Sequence, residues 1–299
     1  MLKLMVAFAL QLSVSVLSAQ PKMQAREKTG KEMDLSGEWL FQIDPLDKGA
    51  AQQWWLAPLG DTIHLPGSMT TNGKGDEVTV GTKWTGNVWN NAWYTDTAYA
   101  KYRQAGNVKV SFWLQPVKHY VGPAWYQKKV TIDAGWKDHP AELFLERCHW
   151  ETTLWIDNRK VGMQNALCAP DVFGLGVLTP GEHTITLRID NRIKEIDPGA
   201  DAHSVTDNTQ TNWNGIIGKM ILVKKPAVHF SHVQVFPDVD KKRVHVKIVV
   251  SNVSGREVTG SLSLSVKGMT TLSREVVLHE DTTSLEIDYP MGDHPLLWD

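Results

Sequence analysis

The side chains best suited to chemistry are concentrated in one stretch, residues 203–218, which reads His-Ser-Val-Thr-Asp-Asn-Thr-Gln-Thr-Asn-Trp-Asn-Gly-Ile-Ile-Gly. Amides such as those of Gln210, Asn212 and Asn214 donate and accept hydrogen bonds at once, which is what reading the hydroxyls of a saccharide requires. Trp213 stands among them, and an indole offers a flat apolar face that suits the CH-rich side of a pyranose ring. With His203 and Asp207 in the same polar and aromatic cluster, His203, Asp207, Gln210, Asn212, Trp213 and Asn214 are the candidate carbohydrate-binding residues. The same residue types also suit an Asx-rich turn network that satisfies its own backbone. Residue types alone leave both readings open.

The sequence holds 13 Trp in 299 residues, and Trp54, Trp55, Trp84, Trp89, Trp93, Trp113 and Trp125 are expected in loops. Each is more readily a core or loop anchor than a stacking platform, because buried Trp dominates the interiors of β sandwiches. Two pairings invite a catalytic reading, His149-Trp150-Glu151 and His203-Ser204. Strand packing and turn formation account for them more simply. No His-x-x-x-His, Cys-x-x-Cys or glycine-rich phosphate loop occurs, so neither a metal nor a nucleotide cofactor is expected.

Charge excludes one class of partner. With 31 basic and 33 acidic residues the formal net charge is −2, which gives no electrostatic footprint for a polyanion such as nucleic acid. Residues 1–19 begin with Lys3, continue through an apolar stretch over residues 4–17 and end on Leu17-Ser18-Ala19, the pattern of a cleaved secretory signal peptide. A membrane anchor is the weaker reading: Gln11, Ser13 and Ser15 interrupt a run already short of the ~20 apolar residues that a span needs. Export to the periplasm or the extracellular space without membrane insertion is therefore expected. Cys148 and Cys168 do not make a disulfide scaffold; two buried free thiols and a single bridge both remain open.

The elements that must position these residues are strands. Residues 20–33 are polar and aperiodic, a flexible leader. From Ser36 the apolar spacing is two: Trp39, Phe41 and Ile43; Tyr126, Val130 and Ile132; Leu143 and Leu145; Leu154 and Ile156; Ile185, Leu187 and Ile189. No sustained helical stripe appears. A long connection over residues 65–120, rich in Gly, Asn, Thr and Trp, is where an antiparallel sandwich would carry function. Lys224-Lys225-Pro226 reads as a hinge, after which a plainer series of strands suggests a small immunoglobulin-like sandwich. The expected organisation is an all-β jelly-roll (galactose-binding-like) sandwich over residues 34–225, then the immunoglobulin-like sandwich over residues 226–299.

At residues 212–218 the sequence resembles a known family. Asn212-Trp213-Asn214-Gly215-Ile216-Ile217-Gly218 is similar to the N-W-N-G-I-x-G signature that closes the N-terminal sugar-binding jelly roll of family 2 glycoside hydrolases, in the β-galactosidase-like subgroup common in Bacteroidetes. Further segments agree in order: Gly37-Glu38-Trp39, the Leu65-Pro66-Gly67-Ser68 turn, Tyr120-Val121-Gly122-Pro123-Ala124-Trp125-Tyr126, and residues 145–152. The tail Pro295-Leu296-Leu297-Trp298-Asp299 resembles the family's L-W-x-P exit. The resemblance spans residues 33–299. One departure is that relatives carry a Pro-His pair and an Asp within residues 169–175, where this chain has Pro170-Asp171 and Gly174.

The resemblance implies retaining hydrolysis of a β-linked saccharide by two carboxyl groups about 5 to 5.5 Å apart. In the family these lie on a (β/α)₈ barrel of roughly 250 residues that follows the immunoglobulin-like domain. The expectation is thus a non-catalytic recognition portion that associates with a downstream or separate barrel. A free-standing carbohydrate-binding protein and a scaffolding sandwich without sugar contact are the alternatives.

Overall fold

A computed structural model describes residues 10–16, 32–86, 88, 91–194, 199, 202, 203, 205–209 and 211–293. Two compact units result, one from Glu32–Lys137 and Ala141–Val223, the other from the described residues of Met1–Lys31, Asp138–Pro140 and Lys224–Asp299.

The first unit is a sandwich of two antiparallel sheets. One has six strands in the order Arg159–Gln164, Glu151–Ile156, Gly181–Asp190, Pro123–Ile132, Gly37–Ile43 and Asp61–Leu65. The other runs Asp171–Val177, Pro140–Cys148, Gly215–Lys224 and Glu32–Asp34, with the short Gly67–Ser68 strand also paired to Gly215–Lys224. Period-two alternation explains the core: Trp39, Phe41, Leu143, Leu145, Leu154, Ile185, Leu187 and Ile189 all come from inward positions and pack together. The fold is the expected all-β sandwich; the one α-helix among the described residues is the four-residue turn Ala92–Thr95.

The outer face of the six-stranded sheet departs from simple alternation. Thr186 and Arg188 face away from that core yet are buried as well. Arg188 bonds to Asp47 and Asp190, and Thr186 accepts from Gln127. A second apolar cluster also forms, in which Trp54 and Trp55 lie over Trp125 and Trp155, with Trp55 stacked on Trp155 at 4.9 Å between centroids. Trp125 therefore sits in a strand and not in a loop, fully buried, its indole N–H donating to Asp44 Oδ2 at 3.0 Å.

The second unit has two three-stranded sheets, Leu10–Val16, Val258–Val266 and Leu272–Leu278 in one, Val228–Asp238, Arg243–Asn252 and Asp281–Pro290 in the other. Val246, Ile248, Val250, Leu262, Leu264 and Leu278 form its core. The signal-peptide reading sets residues 10–16 apart from the fold, whereas the structure makes them a strand. Their alternation of Leu10, Leu12, Val14 and Val16 with Gln11, Ser13 and Ser15 has the period a strand needs. The flexible-leader reading of residues 20–33 gives way at its end, where Glu32 and Met33 belong to the strand Glu32–Asp34, paired with Gly215–Lys224. Both cysteines are free, Cys148 buried and Cys168 exposed, which matches neither of the two arrangements left open by the sequence, a single bridge or two buried thiols.

Candidate functional site

The signature at residues 212–218 enters the Gly215–Lys224 strand, and its glycines are steric requirements. Gly215 has φ +144°, and a Cβ there would lie 2.5 Å from the Gly67 carbonyl oxygen. Gly218 has φ +78°, and a Cβ would meet the Glu146 carboxylate, which accepts the Lys219 N–H at 2.6 Å. The loop is thereby pressed onto its neighbours.

The amides do the clamping. Asn214 donates to the Gly122 and Ile189 carbonyls, both at 3.0 Å, and accepts the Tyr126 hydroxyl at 2.7 Å. Asn212 donates to Thr85 Oγ1 at 3.1 Å and to the Asn191 carbonyl at 3.0 Å. Asp207, with no exposed surface, accepts the Asn212 N–H at 3.0 Å and the Thr85 N–H at 2.7 Å, and its Oδ2 lies 3.2 Å from His119 Nε2. The Asp207 N–H returns to the Thr85 carbonyl at 2.7 Å. Groups buried this thoroughly and bonded to backbone fix a loop's shape.

Of the six residues singled out by sequence, Asp207, Asn212 and Asn214 are brought together but buried, bonding chain to chain. Trp213 is half-buried: its ring stacks on His149 at 4.7 Å, and its carbonyl accepts from Asn191 at 3.2 Å and lies 2.6 Å from His149 Nδ1. His203 is exposed, and Gln210, like Trp89 and residues 294–299, lies outside the described residues. Sequence reading missed His119, Asn191 and Thr85, which are distant in the chain and belong to no local pattern. Asp171, at the departure from the family pattern, is fully buried beside Cys148 and Thr152; burial pushes its carboxyl above the usual range.

Space for a ligand lies next to the signature. The hollow bounded by Met69, Lys118, Tyr120, Asn212, Trp213 and Asn214 measures about 10 Å³, room for one water at most. A cavity of about 530 Å³ opens in the long connection, lined by Thr82, Lys83, Trp84, Gly86, Asn91 and Tyr94. That volume falls in the range of small-molecule sites. Its wall is held to the signature through Thr85, clamped by Asp207 and Asn212, and through Trp84, packed edge-on against His119 and Phe112. A neighbouring charge network, Arg188, Arg192 and Lys194 against Asp47, Glu151 and Asp190, balances three cations with three carboxylates. Burial alone would raise Asp190, but bonds from Arg192 and Lys194 prevail and bring it to about 2.

Among the described residues no cluster of His, Cys, Asp or Glu could hold a metal ion, and no helix is long and apolar enough to cross a membrane.

Residues 33–226 match the family described as "Glycosyl hydrolases family 2, sugar binding domain". The chain belongs to glycosyl hydrolase family 2. Among solved structures, this family 2 chain is similar to Bacteroides uniformis beta-glucuronidase 2 covalently bound to cyclophellitol-6-carboxylate aziridine, with 18% identity and a TM-score of 0.56 over 90% of this chain and 29% of that one. It is also similar to a Bacteroides uniformis beta-glucuronidase (17% identity, TM-score 0.54, 87% of this chain and 27% of that one). A GH2 beta-galacturonidase from Eisenbergiella tayi bound to galacturonate matches at 18% identity and a TM-score of 0.51, over 90% of this chain and 39% of that one. At such identities the likeness establishes the fold. The family 2 chain thus spans well under half the length of each of these relatives, and no curated protein matches it.

Proposed function

We propose that the first unit is the carbohydrate-recognition portion of a β-galactosidase-like family 2 glycoside hydrolase, holding a β-linked saccharide against a catalytic barrel. The observation that supports this most is the rigid coupling of the signature loop to a sugar-sized cavity through Asp207, Asn212 and Thr85. In this reading Trp213 and His203 present the surface that the saccharide meets. Asp207, Asn212 and Asn214 hold that surface in place, and Gln210 belongs to the same loop. Hydrolysis of the O-glycosyl bond needs two carboxyl groups across the scissile bond, supplied by the barrel. The pattern of residues 1–19 supports export to the periplasm or extracellular space.

Incubating the purified chain with aryl β-galactosides and β-glucuronides tests the division of labour. No release is expected, and purified turnover would refute it. A second reading, a free-standing carbohydrate-binding protein, is favoured by the cavity's being lined by one loop of one unit. Tight binding by the chain alone supports that second reading; binding that becomes tight only when a barrel is joined supports the first.

A further inference from the structure

The strand Gly37–Ile43 alternates between two faces: Phe41 enters the core, while Gln42 lies on the outer face of the six-stranded sheet and stays partly exposed. Its cross-strand neighbour on that face is Trp125, and Trp54 is tilted over Trp125 at 6.0 Å between centroids. Gln42 and Trp54 both line a cavity of about 340 Å³, bounded on its remaining side by the connection Ala57-Pro58-Leu59-Gly60. That volume is within the range of small-molecule sites. The cavity shares no lining residue with the one beside Trp84 or with the hollow next to the signature.

The two side chains offer different contacts. The Trp54 indole N–H is already spent on Gln52 Oε1 at 2.9 Å, which pins the ring and leaves it only apolar surface to present. Gln42 is the reverse. Its Nε2 reaches the Ile43 carbonyl at 3.4 Å, longer than an ordinary N–H···O bond, and its Oε1 has no hydrogen-bond partner among the described residues. A Cβ on Gly60 would lie 3.4 Å from that oxygen, so any side chain grown there covers it. The Ala57 carbonyl accepts Gln127 Nε2 at 3.2 Å and ties the connection to the sheet. None of these lining residues is charged. A hydrocarbon seated here would leave the amide unpaired, and an ion would find no counter-charge. A ring with an apolar CH face and hydroxyls at its edge meets both the indole and the amide.

We propose that this cavity is a second carbohydrate site, which takes a neutral pyranoside with Trp54 as the platform and Gln42 as the reader of a hydroxyl. It works independently of the signature loop and of any barrel. A site built from one ring and one amide binds weakly.

Titration of the full chain with methyl β-glucoside and methyl β-galactoside, followed by amide chemical shifts, tests the proposal. Saturable shifts from at least one glycoside are expected at the Gln42 side-chain amide and along residues 54–60. Trp54→Ala should weaken this binding about tenfold and Gln42→Ala about threefold. Trp213→Ala should leave it unchanged. Should Trp54→Ala not fold, Gly60→Val decides, because it fills the space before Gln42 while the ring stays in place; a loss of about tenfold is expected there too. No saturable shift at residues 54–60, or shifts indifferent to the substitutions at Trp54, Gln42 and Gly60, would overturn the site. Loss of the shifts in Trp213→Ala would assign them to the signature loop and overturn it as well. Two further ligands decide the chemical class. Cyclohexanol binding as well as the glycosides would reduce the site to apolar surface, and methyl β-glucuronide binding better would make it a site for charge; either result defeats the neutral pyranoside.

Discussion

In the second unit Asn252 is the one buried polar side chain among the described residues, whereas the first unit buries Asp44, Gln127, Arg188, Asp190, Asn191, Asp207, Asn212 and Asn214, among others. Both are antiparallel sandwiches with cores of alternating aliphatic residues. The difference is in what the connections must do. Asn252 bonds to the Arg256 carbonyl four residues on and to the Leu278 carbonyl, and its side chain ties down the turn that follows its strand. Asn214 and Asp207 reach the Gly122 and Thr85 backbones and hold long connections in fixed shapes beside a cavity. A plain sandwich stands on its apolar pattern, while one that carries a site adds buried polar clamps, each harmful if left half-satisfied.

The contrast is broken most directly at glycine. Gly215→Ala drives a methyl into the Gly67 carbonyl at a positive φ, and a destabilisation of about 4 kcal/mol is expected in denaturant unfolding of the first unit. Asn214→Ala strips three buried groups of their partner, with an expected loss of about 3 kcal/mol by the same measurement.

The ionic network sharpens the comparison through pH. Asp190 is held at about 2, below its value in an unfolded chain. Its stabilisation, about 2 kcal/mol, is present above pH ~4 and is lost as pH falls toward 2. Acid titration of unfolding should show this fall for the first unit, and Asp190→Asn should flatten it. The smallest effect lies in the plain unit. Gly255 has φ +70° with nothing near its would-be Cβ, so Gly255→Ala should cost only about 1 kcal/mol of left-handed strain. A cost equal to that of Gly215→Ala would erase the distinction between the two units.

The sheets were legible in the sequence because alternation is local: Ile185, Leu187 and Ile189 announce both their strand and the face it buries. The burial of Thr186 and Arg188 on the opposite face was not legible, because their partners Gln127 and Asp47 arrive from other segments. Trp125 misled for the same reason, since a composition rich in Trp does not distinguish a stacked layer from a ligand platform. In the signature, residue types marked the right loop but left its role open, and long-range bonds to Thr85, Gly122 and Ile189 give its amides their clamping work. The strand at Leu10–Val16 was masked by a second meaning, since a leader's apolar core can also alternate.

In the proposed reading, recognition depends on Trp213, whose ring stacks on His149, offering its other face to the saccharide. Calorimetric titration of the chain joined to a catalytic barrel, with and without Trp213→Ala, against galactosides and glucuronides tests this. Saturable heat from at least one sugar is expected from the joined protein, weakened about tenfold, or about 1.4 kcal/mol, by the substitution. Binding that is unchanged in Trp213→Ala would contradict it.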